Sequence, residues 1–351
     1  MILVTGSAGL IGSAAARFFV KKGHDVIGID NNFRKYMFGD DGDTTKTLEK
    51  LRMELKSKYV HYSYDIRDKL AIDSIFLEYG KNISGIVHAA ACPSHDWASK
   101  EPITDFDVNA RATLLLLEAT RKYCPEAVFM FTSTNKVYGD TPNSLPLIEL
   151  ETRWELLEDH KWHYGIDETM SIDQSIHSVF GVSKLAADIA TQEYGKYFGM
   201  KTGVFRGGCL TGVDHSSAEL HGFLAYLVKC IVNKKPYTII SHKGKQVRDN
   251  INSFDVCTAL NAFYENPRPG EVYNLGGTRF SNISMMEAIT KIEELSGNKS
   301  ITSYNPASRI GDHVWWISSM EKFQSHYLDW GLTYTIDQTL SEMVDVAKSQ
   351  R

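Results

Sequence analysis

Three glycines, Gly6, Gly9 and Gly12, follow the apolar run Met1 to Val4 and open a stretch in which small and apolar residues recur at helical spacing. Between a strand and a helix such glycines have separate uses. Gly6 permits a tight turn, Gly9 lets the backbone approach a pyrophosphate, and Gly12 allows helix and strand to pack closely. The helix N-terminus at Leu10 and Ile11 then faces the phosphates. Asp30 ends the next apolar run, with Asn31 beside it. A carboxylate there suits an adenosine ribose and repels a 2′-phosphate, which points to NAD over NADP; Arg34 is the residue that could receive such a phosphate instead. A second group of polar residues, Thr132, Ser133, Thr134, Asn135 and Lys136, follows the apolar run Ala127 to Phe131. Hydroxyls there stand at the carboxyl edge of a strand, where α/β sheets bind ligands. Phe180 and Lys184 fall one helical turn apart.

The elements that must hold these residues alternate. Strands fit 1–4, 25–30, 59–62, 85–88, 127–131 and 202–205, and helical patterns fit 13–22, 70–79, 110–123 and 184–198. That rhythm predicts an α/β fold, a Rossmann-type doubly wound parallel sheet over residues 1–205. A smaller C-terminal α/β lobe that faces the substrate is expected over 206–351, with a segment near 245–265 returning to the first domain. The polar stretch 31–58, with its Asp40-Asp41-Gly42-Asp43 run, reads as a solvated loop leading into a surface helix. The irregular stretch 140–178 is long for an idle loop and is expected to serve the site.

Composition narrows the partners. The 351 residues carry 38 basic and 43 acidic side chains, interspersed, for a net charge of -5; no basic face suited to nucleic acid stands out. Five cysteines, Cys92, Cys124, Cys209, Cys230 and Cys257, include no Cys-x-x-Cys pair and no metal-ligand spacing. They read as buried thiols of a reducing compartment. No apolar run reaches a membrane span, so neither membrane nor metal is expected and the location expected is cytoplasmic.

The Gly-x-x-Gly-x-x-Gly turn, the hydroxyls before Val137-Tyr138-Gly139 and the Phe180-x-x-x-Lys184 pair together make the chain similar to the extended short-chain dehydrogenase/reductases of the nucleotide-sugar epimerase class. The resemblance runs from residue 1 to about residue 340. It implies an epimerase that holds NAD, acts on a CDP- or UDP-linked sugar by transient oxidation and re-reduction of one carbon, and pairs as a homodimer through helices 110–123 and 184–198. Thr134 matches the hydroxyl on the reacting sugar oxygen, and Lys184 the lysine on the nicotinamide ribose. Asp65 and Ile66 match adenine contacts, and Ala89, Ala90 and Ala91 the loop along the cofactor. Asn109 matches the family's structural asparagine and is counted with the cofactor contacts. Arg248 and Arg309 match arginines on the nucleotide diphosphate, with Arg206 as a further substrate candidate. Asn135 and Lys136 stand where the family's 4,6-dehydratases carry Asp-Glu, which disfavours elimination of water.

Phe180 departs from the family pattern, whose motif is Tyr-x-x-x-Lys. The ring is kept and the phenol that should take a proton is absent. The intact neighbouring motif favours an inactivating Tyr→Phe substitution; the other reading is a divergence with another base or none, leaving a silent binding protein. Tyr164 and His177 are the candidate substitutes, although a Tyr or His in such a loop is more often structural.

Overall fold

Short apolar runs, buried on both faces, form the centre of the computed structural model, which describes residues 1–215, 222–307 and 310–349. In chain order the strands are β1 (Ile2–Thr5), β2 (Val26–Ile29), β3 (Tyr59–Tyr62), β4 (Gly85–His88), β5 (Val128–Thr134), β6 (Leu147–Glu149), β7 (Trp154–Leu156) and β8 (Thr202–Gly207). They continue as β9 (Cys209–Thr211), β10 (Pro236–Ile240), β11 (Val247–Asn252), β12 (Glu271–Leu275), β13 (Asn282–Ser284), β14 (Ile301–Asn305) and β15 (Trp315–Trp316). The helices are α1 (Leu10–Lys21), α2 (Phe33–Phe38), α3 (Thr45–Leu55), α4 (Lys69–Tyr79), α5 (His95–Lys100), α6 (Pro102–Phe106) and α7 (Ala112–Tyr123). After them come α8 (Ser178–Phe198), α9 (Phe223–Val232), α10 (Ser253–Glu265), α11 (Met285–Ser296), α12 (Glu321–His326) and α13 (Ile336–Ser349).

The main sheet is wholly parallel, in the order β12-β8-β5-β4-β1-β2-β3. A parallel sheet must be covered on both faces. Here α1 and α10 close one face around Phe19, Leu260 and Phe263, and α4 and α7 close the other around Ile75, Leu116 and Leu117. Strand order runs outward in opposite directions from β1 and β4, and that reversal opens a crevice at their carboxyl ends.

The sheet's edge strand comes from late in the chain: β12 pairs with β8, and α10 packs on α1. The segments before α10 and after β12, by contrast, build a second lobe. There β11 joins β9, β13 and β15, β10 pairs with β14, and α9, α11 and α13 share a core around Leu227, Ile292 and Leu340.

Residues 31–58 end in the expected surface helix, α3, but the short helix α2 stands where only a loop was expected. Much of 140–178 is also fixed. The β6–β7 hairpin and the residues after it pack with Tyr138, Trp315 and Trp316, and Ile166 N donates to Ile317 O at 2.7 Å. Apolar side chains at Leu156, Ile166 and Met170 account for this anchoring. Among the described residues no helix is long and apolar enough to cross a membrane, and no group of side chains is arranged to hold a metal ion.

Arg206 departs from the expectation of a substrate contact. It lies inside the main sheet on β8, its side chain 5% exposed, with Nε and Nη2 donating to Asp188 of α8 and Nη1 to the Tyr138 hydroxyl. The guanidinium is spent on a buried carboxylate, and the residue does not line the crevice. Removing one partner of such a pair leaves the other charge buried alone, so Asp188→Ala should lower stability by about 3–5 kcal/mol in urea unfolding. A loss below about 1 kcal/mol would show that the pair does not hold α8 to the sheet.

Candidate active site

The crevice at the switch between β1 and β4 is a cleft of about 440 Å³ that continues into the second lobe. Its floor at one end is the glycine turn. Gly6 has φ +65°, and a Cβ there would come within 2.8 Å of the Ala90 nitrogen. A Cβ on Gly12 would overlap the Gly6 carbonyl oxygen, so α1 can start this close to β1 only without side chains. No side chain caps α1 at Gly9, and the first-turn N–H groups of Leu10, Ile11 and Gly12 are the kind of donors a pyrophosphate accepts from.

Asp30 stands at the end of β2. Its Oδ2 accepts from Ala8 N at 3.0 Å and its Oδ1 from Asn32 N at 2.8 Å, which fixes the carboxylate toward the cleft; burial raises its pKa. Asn31 donates to Asp65 at 3.3 Å, and Asp65 is paired with Arg67 at 2.7 Å. Asn31, Asp65, Ile66 and the Ala89–Ala91 segment all line the same end. The cradle and its ribose-height carboxylate fit a dinucleotide. Asn109 does not line the cleft. It brackets the Cys92 backbone and donates to Asp105 and Ser183, tying the segment after β4 to α8.

At the other end Thr134, Asn135, Lys136, Phe180, Lys184 and Arg248 line the cleft. Lys184 points from α8 to the sheet, donating to Thr132 O at 2.8 Å with its Nζ 4.1 Å from the Phe131 ring centroid. Burial pulls it down to about 7, against the opposing pull of Asp188 and Asp105. Lys136 donates to Gly311 O at 2.9 Å and sits 3.4 Å from Asp312; burial lowers it to about 8. Arg248 on β11 reaches to 3.6 Å from the same carboxylate. Burial works against ionisation of Asp312, but Lys136 and Arg248 hold its pKa well below the usual carboxylate range. Arg309 lies outside the described residues.

Phe180 is buried in the cleft wall. Neither candidate substitute stands by it. Tyr164 is 73% exposed, and His177 is bound to the Ser175 and Val137 carbonyls; neither lines the cleft. Among the groups that line it and were not foreseen are His95, Asp96, Cys209, His215, Tyr226, Tyr237 and Asp312. His95 could have been noticed as a polar ring just after the β4 carboxyl end. Asp312 had no sequence signal, because its place depends on the late β15 segment folding back.

The two depressed lysines set a pH dependence. Their folded pKa values lie below the unfolded value, so above about pH 7 the unfolded chain holds the extra protons and stability rises with pH. Buried thiols such as Cys257, pushed up to about 12, reverse the trend once unfolded thiols ionise near about pH 8.5. Urea unfolding without cofactor should therefore show stability rising by about 1 kcal/mol per pH unit between about pH 7 and 8.5, with Lys184→Met flattening much of the rise. An unchanged slope in that variant would mean that Lys184 stays protonated in the folded chain.

The family model described as the NAD dependent epimerase/dehydratase family matches residues 2–276. A curated relative, CDP-paratose 2-epimerase of Salmonella typhi, is 29% identical over 355 residues, covering 99% of each chain. UDP-glucuronate 4-epimerase of Thermodesulfobacterium geofontis is 27% identical, over 99% of this chain and 95% of its own. Among solved structures, UDP-glucose 4-epimerase of Thermus thermophilus in complex with NAD superposes with a TM-score of 0.78 at 23% identity, covering 99% of this chain and 98% of its own. A Tyr-to-Phe mutant of UDP-glucuronic acid 4-epimerase from Bacillus cereus, in complex with a fluorinated UDP-sugar and NAD, gives 0.79 at 24% identity, covering 100% and 99%. These structures share the fold. With the family match spanning most of the sequence, the chain belongs to the NAD-dependent epimerase/dehydratase family.

Proposed function

We propose that the chain is a nucleotide-sugar epimerase that holds NAD at the glycine turn and a nucleoside-diphosphate sugar toward the second lobe. The observation that carries this reading is a single cleft joining Gly6, Gly12 and Asp30 at one end to Thr134, Lys136 and Arg248 at the other. Bound NAD supplies a hydride acceptor that later returns the hydride. Thr134 orients the reacting hydroxyl, Lys184 positions the nicotinamide ribose, and Arg248 takes a phosphate in the bidentate manner suited to guanidinium. Lys136 adds a second cation beside it.

Within the family, a CDP-linked sugar epimerised as by CDP-paratose 2-epimerase is the reading favoured. The runs Ser133 to Asp140 and Gly244 to Asp249 resemble that enzyme, and its full-length likeness supports it. A UDP-sugar 4-epimerase is the nearest alternative. Assembly as a cytoplasmic homodimer through α7 and α8 belongs to the same proposal. These helices leave Leu114, Val182 and Ile189 exposed, an apolar face that a partner copy would cover.

Calorimetry should find NAD bound far more tightly than NADP, with Asp30→Ala narrowing the difference. Arg248→Ala should weaken CDP or UDP binding by about 1.5–3 kcal/mol and leave NAD binding intact. Equal affinities for the two dinucleotides would sink the role of Asp30, and unchanged CDP and UDP affinities that of Arg248.

A further inference from the structure

Phe180 leaves its own place in the cleft wall without a phenol, and the ring facing Phe180 is an imidazole. His95 starts α5 shortly after the β4 carboxyl end and lines the same cleft as Thr134 and Lys184. Its ring meets that of Phe180 edge to face, with centroids 5.2 Å apart. Two features fix its orientation. Nδ1 lies 2.7 Å from the hydroxyl of Ser178, a residue that opens α8 at φ +59°, a left-handed conformation seldom adopted by residues with a side chain. The same edge of the ring is backed by Gly311, where a Cβ would come within 2.8 Å of the imidazole carbon Cε1 and 2.9 Å of Nδ1. The neighbouring carboxylate of Asp312 is close enough to feel a charge on His95.

We propose that His95 is the acid–base group of this cleft, acting where the absent phenol would act; the proposal rests on the epimerase reading above. An imidazole accepts a proton near neutral pH, which phenylalanine cannot do and a threonine hydroxyl does poorly. With the Nδ1 proton donated to Ser178, Nε2 receives the proton of the sugar hydroxyl as its O–H bond breaks. Bound NAD would take up the carbon–hydrogen electron pair of the same carbon as hydride while the carbonyl forms. The reverse transfer on the opposite face returns hydride to carbon and the proton to oxygen. Nothing is oxidised or reduced overall.

The competing explanation is that His95 merely packs on Phe180, and two variants separate the two. The NAD-loaded chain, His95→Gln, His95→Phe, Phe180→Tyr and His95→Gln combined with Phe180→Tyr would each be given CDP-paratose and UDP-glucose, with epimer formation followed. The chain as it stands should turn over at least one of them. Both single His95 variants should lose about 10²–10⁴-fold in kcat while keeping their affinity for NAD and CDP, although His95→Phe preserves the ring contact. The double variant should regain activity. Independently of turnover, diethyl pyrocarbonate should label His95, read by peptide mass, and the sugar nucleotide that is turned over should block the labelling.

Full activity in either single His95 variant, or labelling unaffected by both sugar nucleotides, would overturn the proposal. An inert chain made active by Phe180→Tyr would overturn it too, while leaving the epimerase reading in place. Inactivity of every form would overturn both.

Discussion

The approach of α1 to β1 is the constraint on which the rest of the site depends. Any side chain at Gly12 would overlap the Gly6 carbonyl, and one at Gly6 would press on the segment after β4. Without that contact the helix start would move away from the carboxyl edge, and its open N–H groups would no longer face the crevice. Asp30 is coupled to the same turn, since one of its oxygens is held by the Ala8 amide inside it. Sheet order then matters because β1 and β4 are adjacent but lead away in opposite directions, leaving the space that the turn lines.

Charge at the two ends follows a different logic. At the turn the fixed partial charges are backbone donors, and the formal charge is a carboxylate. Toward the second lobe Lys136 and Arg248 share the carboxylate of Asp312, a small excess of positive charge in a partly desolvated place. Such an excess suits an incoming diphosphate, because part of the cost of desolvating the cations is met before it arrives. Lys184 has no carboxylate at hydrogen-bond distance. It is held by a backbone carbonyl and an aromatic face, which is why burial dominates its protonation.

Local patterns carried much of this into the sequence. The glycine spacing, the acid after β2, the hydroxyls at the end of β5 and the Phe180–Lys184 pair all belong to strand ends and single helical turns, so their neighbours in space are also near in sequence. What was not legible depends on long-range closure. Arg206 looked like a substrate contact because a cation after a strand is usually available; only the register of β8 against α8 shows it bonded to Asp188. The stretch 140–178 looked irregular, whereas its apolar residues find partners in Trp315 and Trp316 at the far end of the chain. His95 and Phe180 are far apart in sequence and meet through the packing of α5 on α8.

The account's central claim is that one cleft holds a dinucleotide and a sugar nucleotide together. The most direct measurement is the mass of the small molecules that the purified chain releases on denaturation. An epimerase of this type undergoes no net redox change and has no need to exchange its dinucleotide. The account therefore predicts NAD in near-stoichiometric amount, accompanied by a nucleoside diphosphate or its sugar when one is supplied during purification. Release of NADP in place of NAD, or of a sugar nucleotide from a chain that retains no dinucleotide and binds none when it is added, would contradict it.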